Sequence, residues 1–456
     1  MLYDVIIIGG GPAGSSTATY LRQKSDLKVL VLEKENFPRD HVGESLIPLC
    51  YRNLKEMGVL DEVKKFATYK PGVNFVDNSG ENQSIWCFRH VIPDEGHLSF
   101  HTLRAPFDNA LLRNSEKHGA NVTEGQAVKK VILGAPDSIV RVTTEDQHGE
   151  THNYEARFLV DCSGQGTFLS KQLNSKRLFK GLDRTAFFCH WLNNDYDNAL
   201  NEGLIKIIYL GGEKQGWLWV IPVGPNHLSI GVSVNNSYLR EEKKKLQAES
   251  PDDWAERFYL KEVGEATALK PILKNARLEH EVLITGDYSY YNETKFGKNF
   301  AMVGDSGAFL DPIFSSGIFV AMEAANFVSS GIIRGLKDPE NMEQYLAETY
   351  KDIEGAYVLL EKFIRLFYEP DLMNFSHIGS NVNRRYDGFK NAYEIFHLLL
   401  AGDFFSKYKE YADFIDMVKK EKNFKSYVNL VKSRNNTLQG ISSCDHTFES
   451  IYGHLL

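Results

Sequence analysis

The chain has 456 residues, 43% of them hydrophobic and 25% charged, a composition typical of a folded globular protein. Its formal net charge of −8 leaves no excess of Lys and Arg to neutralise phosphates, which argues against binding to nucleic acid or to an acidic membrane surface. The five cysteines are odd in number, far apart and without CxxC pairs, so we expect reduced thiols and neither a disulfide framework nor a metal site.

Apolar runs in this sequence are short. None reaches the roughly 18 residues that a transmembrane helix needs. The run Val5–Ile8 is too short for the core of a signal peptide and has no basic leader. We therefore expect a soluble, cytoplasmic protein without a transmembrane segment.

The first 33 residues predict a strand, a tight turn, a helix and a second strand. Residues 3–8 and 28–33 are apolar and β-branched, as in strands buried on both faces. Between them, Gly9, Gly11 and Gly14 form a G-x-G-x-x-G turn at the start of the helix. Such a turn lets the backbone approach a pyrophosphate at a helix N-terminus. Glu33, at the end of the second strand, can accept hydrogen bonds from ribose hydroxyl groups. The segment predicts a dinucleotide site, for either NAD or FAD.

Later segments alternate between strand and helix until about residue 320 and are mainly helical beyond it. Period-two apolar runs predict strands, and charged periodic runs predict helices. The predicted strands cover 139–144, 158–161, 217–222, 228–234 and 299–303, and the predicted helices cover 107–117, 241–265, 356–368 and 404–420.

Three further motifs resemble those of the aromatic-hydroxylase class of FAD proteins. The stretch from Arg104 to Leu112 is similar to R-x-x-F-D-x-x-L-L, in which the arginine reaches the cofactor. Asp161-Cys-Ser-Gly164 resembles the second acidic-glycine element of that class. The stretch that begins with Gly304 and Asp305 resembles the third, in which the aspartate holds the ribityl chain. The resemblance implies FAD as the cofactor.

Other elements resemble those of FAD-dependent halogenases. The segment from Gly216 to Pro222 matches G-W-x-W-x-I-P, and the segment from Phe309 to Gly317 matches F-x-x-P-x-x-S-x-G. Gly43-Glu-Ser45 resembles their G-E-S turn, and Lys70 lies in the region of their active-site lysine. The resemblance covers about residues 1–330.

This resemblance implies a chemistry and a set of residues. Reduced FAD, oxygen and halide would give hypohalous acid, which the lysine directs to an electron-rich carbon, while the tryptophans keep substrate away from the flavin. The residues expected to take part in catalysis are Lys70, Trp217, Trp219 and Ser315. Those expected to bind the cofactor are Gly9, Gly11, Pro12, Ala13, Gly14, Glu33, Lys34, Ser45, Arg104, Val128, Asp305, Pro312, Gly317 and Ile318.

The expected architecture is α/β, with a Rossmann-type FAD-binding domain, an inserted sheet-rich substrate domain and a helical C-terminal region. The FAD-binding domain is assigned to residues 1–70, 101–180 and 285–330, the substrate-side sheet domain to 71–100 and 181–284, and the helical region to 331–456.

Alternative functions share most of these motifs. A geranylgeranyl-reductase-like enzyme would reduce isoprenoid double bonds, an aromatic hydroxylase would insert oxygen, and a flavin-binding sensor would have no turnover. The halogenase hypothesis implies halide, oxygen and a small-molecule or carrier-protein-tethered substrate. Because the sequence has no second convincing dinucleotide turn, it favours either a separate flavin reductase or a transient contact with a nicotinamide cofactor as the source of electrons.

Overall fold

The structure is a computed structural model that describes residues 1–134, 139–193, 203–286, 288–369, 374–377, 395–420 and 444. Within them, the strands are β1 Leu2–Ile8, β2 Val29–Leu32, β3 Thr68–Tyr69, β4 Gly72–Val76, β5 Gln83–Cys87, β6 Phe100–His101, β7 Asn121–Thr123, β8 Gln126–Ile132, β9 Val140–Asp146, β10 Thr151–Asp161, β11 Lys176–Leu178, β12 Arg184–Leu192, β13 Ile205–Leu210, β14 Gly216–Gly224, β15 His227–Asn235, β16 Arg277–Leu278, β17 Leu283–Gly286, β18 Tyr290–Asn292, β19 Phe296–Gly297, β20 Phe300–Met302 and β21 Ala308–Phe309. The α-helices whose two ends both lie within these residues are α1 Pro12–Lys24, α2 Cys50–Glu56, α3 Leu60–Val63, α4 Arg104–Lys117, α5 Phe168–Leu173, α6 Asn236–Glu249, α7 Trp254–Glu265, α8 Lys270–Leu273, α9 Gly317–Lys337, α10 Met342–Phe367 and α11 Tyr408–Val418.

Five parallel strands form the centre of the first sheet, in the order β20–β10–β1–β2–β7. The central strand β1 is apolar and buried over Val5–Ile8, as expected for a parallel strand covered on both faces. The helix α1 follows the glycine turn and packs against both α4 and α9. This is a Rossmann-type arrangement, so the predicted α/β class is confirmed.

The second sheet has the order β16–β12–β15–β14–β13–β4–β5, and β17 pairs with β12. All of its pairs are antiparallel except β13 with β4. Every residue of β14 is buried, because its alternate side chains enter two different cores. Trp217 and Trp219 face the core that also contains α9 and α10, whereas Leu218 and Val220 pack with Phe258 of α7. The tryptophan pair therefore lies on the face directed toward the first sheet's core.

The helices after residue 316 cover the same large core. The helix α10 packs against α9 and α11, and Phe363 of α10 stacks on Phe314 with ring centroids 4.0 Å apart. Most of the predicted helical region beyond residue 420 lies outside the described residues. None of the described helices has the length and apolar composition needed to cross a bilayer.

The expectation of five reduced thiols is wrong. Cys87 at the end of β5 forms a disulfide with Cys444, which lies 357 residues further along the chain. The pairing depends on the fold, which brings together two positions whose spacing carries no signal. Cys50, Cys162 and Cys189 are free and buried, as expected.

Candidate active site

A cavity of about 510 Å³ opens where the parallel strands of the first sheet end, facing the second sheet. Gly9 follows β1 and Glu33 follows β2, and both line one side of the cavity. Phe188 and Trp219 line it from β12 and β14. The carboxyl ends of parallel strands are the usual ligand position in such sheets, and the cavity is of the size that cofactors occupy.

The three glycines of the turn have different structural reasons to be glycine. A Cβ on Gly14 would lie 1.9 Å from the carbonyl oxygen of Gly9, and one on Gly9 would lie 2.4 Å from that of Cys162. Gly9 also has a φ of +99°. A Cβ on Gly11 would instead meet only the Arg39 guanidinium, at 3.5 Å. Gly9 and Gly14 are therefore required by the protein's own packing, whereas Gly11 leaves free space on the cavity side.

Glu33 is buried, with 4% of its surface exposed. Its Oε2 accepts a hydrogen bond from the Gly10 amide at 2.6 Å, and its Oε1 accepts one from the Glu35 amide at 2.9 Å. Each carboxylate oxygen keeps a further lone pair on the cavity side. The carboxylate thus fixes the glycine turn and can also accept a hydrogen bond from a ribose hydroxyl group. Lys34 lines the rim, and its side chain is largely exposed.

Arg104 lines the cavity but is held mainly by the protein. Its Nε and Nη2 donate to the two carboxylate oxygens of Asp108 at 2.8 and 2.9 Å, and its Nη1 donates to the Val42 carbonyl at 2.6 Å. Arg39 binds the same Asp108 carboxylate at 2.7 Å. The arginine therefore fixes the turn before Ser45, and the buried Asp108 is the anchor of that arrangement. Both Asp108 and Arg39 were missed, although the i,i+4 spacing of Arg104 and Asp108 indicates a helical ion pair.

Asp305 also lines the cavity, within the turn Gly304–Ser306. Burial raises the pKa of its carboxyl to about 6, and the nearby Arg104 opposes that rise. Among the described residues, no side chain or amide donates a hydrogen bond to this carboxylate. A half-buried carboxylate without a protein donor fits a ligand that brings its own hydroxyl groups, such as the ribityl chain of FAD.

The N-terminus of α9 also faces the cavity. Gly317 and Ile318 line it, and the preceding residue Ser316 makes no side-chain cap to the helix. Ser315 lines the cavity too, in a left-handed turn with a φ of 55°. The free amides and partial positive charge at the start of a 21-residue helix can hold an anion or a reduced flavin ring.

Lys70 is almost fully buried, with 1% of its surface exposed. Its Nζ donates to the Ser45 Oγ at 2.9 Å and to the Leu46 carbonyl at 2.7 Å. Burial lowers its pKa to about 7. Lys70 does not itself line the cavity, but Ser45 does, so the amine lies one side chain behind the cavity wall.

Of the two tryptophans, Trp219 lies on the cavity wall and Trp217 lies behind it. Trp219 lines the cavity, and its ring centroid lies 5.3 Å from that of the buried Trp217. The Trp219 ring lies directly over Gly231 of the neighbouring strand, where a Cβ would come within 2.1 Å of it. Gly231 therefore makes room for the ring at the cavity wall.

Most of the residues predicted for the site meet at this one cavity. Gly14, Lys70 and Trp217 lie behind its wall rather than on it. The predicted residues that line it are Gly9, Gly11, Pro12, Ala13, Glu33, Lys34, Ser45, Arg104, Val128, Trp219, Asp305, Pro312, Ser315, Gly317 and Ile318. Phe188 and Tyr288 also line the cavity and were missed, because aromatic residues on buried strands look like ordinary core positions.

Known proteins resemble this chain in architecture and in sequence. The sequence model for the tryptophan halogenase family matches residues 4–103 and 89–372. The flavin-dependent halogenase armH3 of Armillaria mellea is 30% identical over 364 residues, which cover 78% of this chain and 72% of that protein. A 1H-pyrrole-2-carbonyl-[peptidyl-carrier protein] chlorinase of Pseudomonas fluorescens is 28% identical, with 81% and 84% covered. The solved structure of the flavin-dependent brominase Bmp2 superposes with a TM-score of 0.78 at 25% identity, covering 93% and 100% of the two chains.

Proposed function

The chain belongs to the tryptophan halogenase family, and from that premise we propose that it uses Lys70 to halogenate an electron-rich aromatic ring. It is an FAD-dependent oxidoreductase of the halogenase type. The comparisons favour this function over double-bond reduction, hydroxylation and non-catalytic flavin binding. When reduced, FAD supplies hypohalous acid from oxygen and halide, and the protein's own residues must hold and direct it.

The position of Lys70 carries this proposal. An exposed lysine would be fully protonated at neutral pH, but with a pKa of about 7 a large fraction of this amine is neutral. A neutral amine can displace hydroxide from hypohalous acid: an N–halogen bond forms, and the amine proton leaves with the hydroxide as water. The protonated form can donate a hydrogen bond that orients the same acid, but it cannot form the N–halogen bond. Both roles need a desolvated amine beside the cavity: Lys70 is 1% exposed, and its amine donates to Ser45 on the cavity wall.

The other site residues receive roles that follow from their positions. We assign the pyrophosphate to the Gly9–Gly14 turn, the ribose to Glu33 and the ribityl chain to Asp305. The first amides of α9 would hold the halide near Ser315. Trp219 and Trp217 would form the wall that separates the organic substrate from the flavin.

The substrate class is an electron-rich aromatic, either free or tethered to a carrier protein. Two relatives act on pyrrole-2-carbonyl groups carried by a peptidyl carrier protein, as their names state. We also propose that a separate flavin reductase supplies reduced FAD. Incubation with NADH or NADPH under anaerobic conditions should then leave the bound FAD oxidised until a reductase is added.

We also propose that the chain consists of the three parts expected from its sequence, namely an FAD-binding domain, an inserted sheet domain and a helical C-terminal region. The first sheet draws its strands from residues 2–8, 29–32, 121–161 and 296–302, and the second from residues 72–87, 184–235 and 277–286. These segments support one discontinuous cofactor-binding domain and one inserted sheet domain.

The test is a halogenation assay with chemically reduced holoprotein, oxygen, bromide, and a panel of phenols, pyrroles and a carrier-bound pyrrole, read by mass spectrometry. Lys70→Ala should retain FAD and consume oxygen yet give no halogenated product. Lys70→Arg should fail as well, because a guanidinium stays protonated. The rate for the natural protein should rise as the pH increases through about 7, because the neutral amine becomes the main form.

A matched control is available in Lys206. Burial also lowers its pKa, but it pairs in register with Val220 and so shares the sheet face opposite the tryptophans. Lys206→Met should therefore halogenate normally. If Lys70→Ala halogenates at the natural rate, the amine has no part in the reaction and the assignment is wrong.

A further inference from the structure

Three histidines and two glutamates meet at one end of the second sheet, outside the cavity described above. His190 lies on β12, and His227 begins β15, where it pairs with Leu192. Glu279 and His280 follow β16, and the Glu279 amide donates to the His190 carbonyl at 2.9 Å. The side chains of His190 and His227 are about four-fifths buried. Three separate segments thus place metal-ligating side chains together.

The hydrogen bonds assign the ring tautomers of two of these histidines. The Nε2 of His190 lies 2.5 Å from the Glu44 carboxylate, so Nε2–H donates and Nδ1 carries the lone pair. The Nδ1 of His280 lies 2.7 Å from the Glu281 carbonyl, so Nδ1–H donates and Nε2 carries the lone pair. These two lone-pair nitrogens face each other at 3.3 Å. The Nε2 of His280 already accepts a hydrogen bond from the His190 amide at 3.3 Å, so the lone pair left for a cation is that of His190 Nδ1.

The remaining atoms converge on the same point. Glu279 Oε2 lies 3.6 Å from His190 Nδ1 and 2.9 Å from His227 Nε2. Two ligands that are each about 2 Å from one tetrahedral Zn²⁺ lie roughly 3.3 Å from each other. The separations of 2.9 and 3.6 Å thus suit His190 Nδ1, His227 Nε2 and Glu279 Oε2 around a single ion, and the ligand atoms of these three residues all lie within 4.8 Å of one another.

We propose that His190, His227 and Glu279 form a binding site for one Zn²⁺ ion, with a fourth position open to water. Nitrogen and carboxylate ligands in this ratio suit zinc. Glu44 supplies the second carboxylate, which orients His190 from the far side of its ring, as outer carboxylates do for metal-bound histidines. Glu44 is 2% exposed and stands between Gly43 and Ser45, which line the cavity. The ion would therefore brace the turn that carries Ser45 against the second sheet.

The test measures zinc binding to tag-free holoprotein that has been dialysed against a chelator. Titration in competition with a chromophoric chelator should show one Zn²⁺ per chain and a rise in Tm. Co²⁺ in its place should give an absorption band of tetrahedral cobalt at wavelengths beyond the flavin bands. His227→Ala and Glu279→Gln should each weaken zinc binding at least roughly tenfold, and Glu44→Gln should weaken it about 10- to 100-fold.

The hairpin of β9 and β10 provides the control. Asp146, Glu150 and His152 form a second group of three ligand-type side chains there, and His152→Ala should leave the zinc affinity unchanged. The proposal is overturned if the natural protein binds no more Zn²⁺ than His227→Ala, because the centre then binds no metal ion. It is also overturned if His152→Ala, and not His227→Ala, abolishes binding.

Discussion

Asp305 shows how one cavity residue can be tested without disturbing the fold. Its carboxylate has no donor among the described residues, so its removal leaves no protein group unpaired. We expect Asp305→Ala to weaken FAD binding roughly ten- to hundredfold, because each charge-assisted hydrogen bond contributes about 1.5–3 kcal/mol. Titration of the apoproteins with FAD measures this change.

The pKa of Asp305 adds a pH dependence to the same prediction. FAD hydroxyls donate to the ionised carboxylate, so affinity should fall as the pH drops through about 6, where the carboxyl becomes protonated. Asp305→Asn should bind FAD weakly and show no inflection near that pH. An inflection that persists in Asp305→Asn would assign the titration to another group.

The sequence predicted which motif residues belong to the site, but it did not predict how buried each one is or which groups contact it. The glycine spacing, Glu33 and the Asp305 turn all follow from short patterns that carry a physical reason. The burial of Lys70 does not, because it depends on Ser45 and Leu46 from a distant turn. The anchoring of Arg104 by Asp108 and Arg39 was likewise invisible, since only the folded chain brings residue 39 to residue 108.

At the scale of an element, two substitutions in the glycine turn distinguish the residue needed for FAD binding from the residue needed for folding. Gly11→Val should fold normally and lose FAD, because its side chain enters the space left for the pyrophosphate and meets only Arg39. Gly14→Val should fail to fold, since its Cβ would lie 1.9 Å from the Gly9 carbonyl oxygen. Circular dichroism and FAD content distinguish the two. Normal FAD content in Gly11→Val would contradict the assignment of the turn.

The strand pair β14–β15 allows a second test, in which Gly231→Ala displaces the Trp219 ring. We expect a loss of about 1–3 kcal/mol in the free energy of unfolding, measured with urea. Trp219→Ala in the same chain should remove most of that additional cost, because the ring that clashes is gone. Gly216→Ala is the control: its Cβ would meet the Ser233 carbonyl, so Trp219→Ala should not rescue it.

Element positions were the part of the fold most accessible from the sequence. Strands β1, β2, β14, β15 and β20 were predicted to within about two residues, because buried strands are apolar. The order of strands in the second sheet was not predictable. The parallel pairing of β13 with β4, for example, joins segments more than a hundred residues apart without a local signal.

At the scale of the whole molecule, the disulfide makes a countable prediction. Alkylation of unfolded, unreduced protein should label three cysteines, and five after reduction, as measured by intact mass. Cys87→Ser should lower the free energy of unfolding by about 2–5 kcal/mol, because a very long loop is no longer closed. Five labelled cysteines without reduction would show that Cys87 and Cys444 are not joined.

The cavity takes its lining from positions between residues 8 and 321, which has a consequence for synthesis. The glycine turn leaves the ribosome long before Asp305 and the start of α9 exist. At the usual rate of elongation, that interval is roughly 15–60 s. A complete FAD site therefore does not exist before these later residues are made, and until then the Glu33 carboxylate holds the glycine turn through the Gly10 amide. Cofactor loading is a late step for this chain, after about seven-tenths of it has been translated.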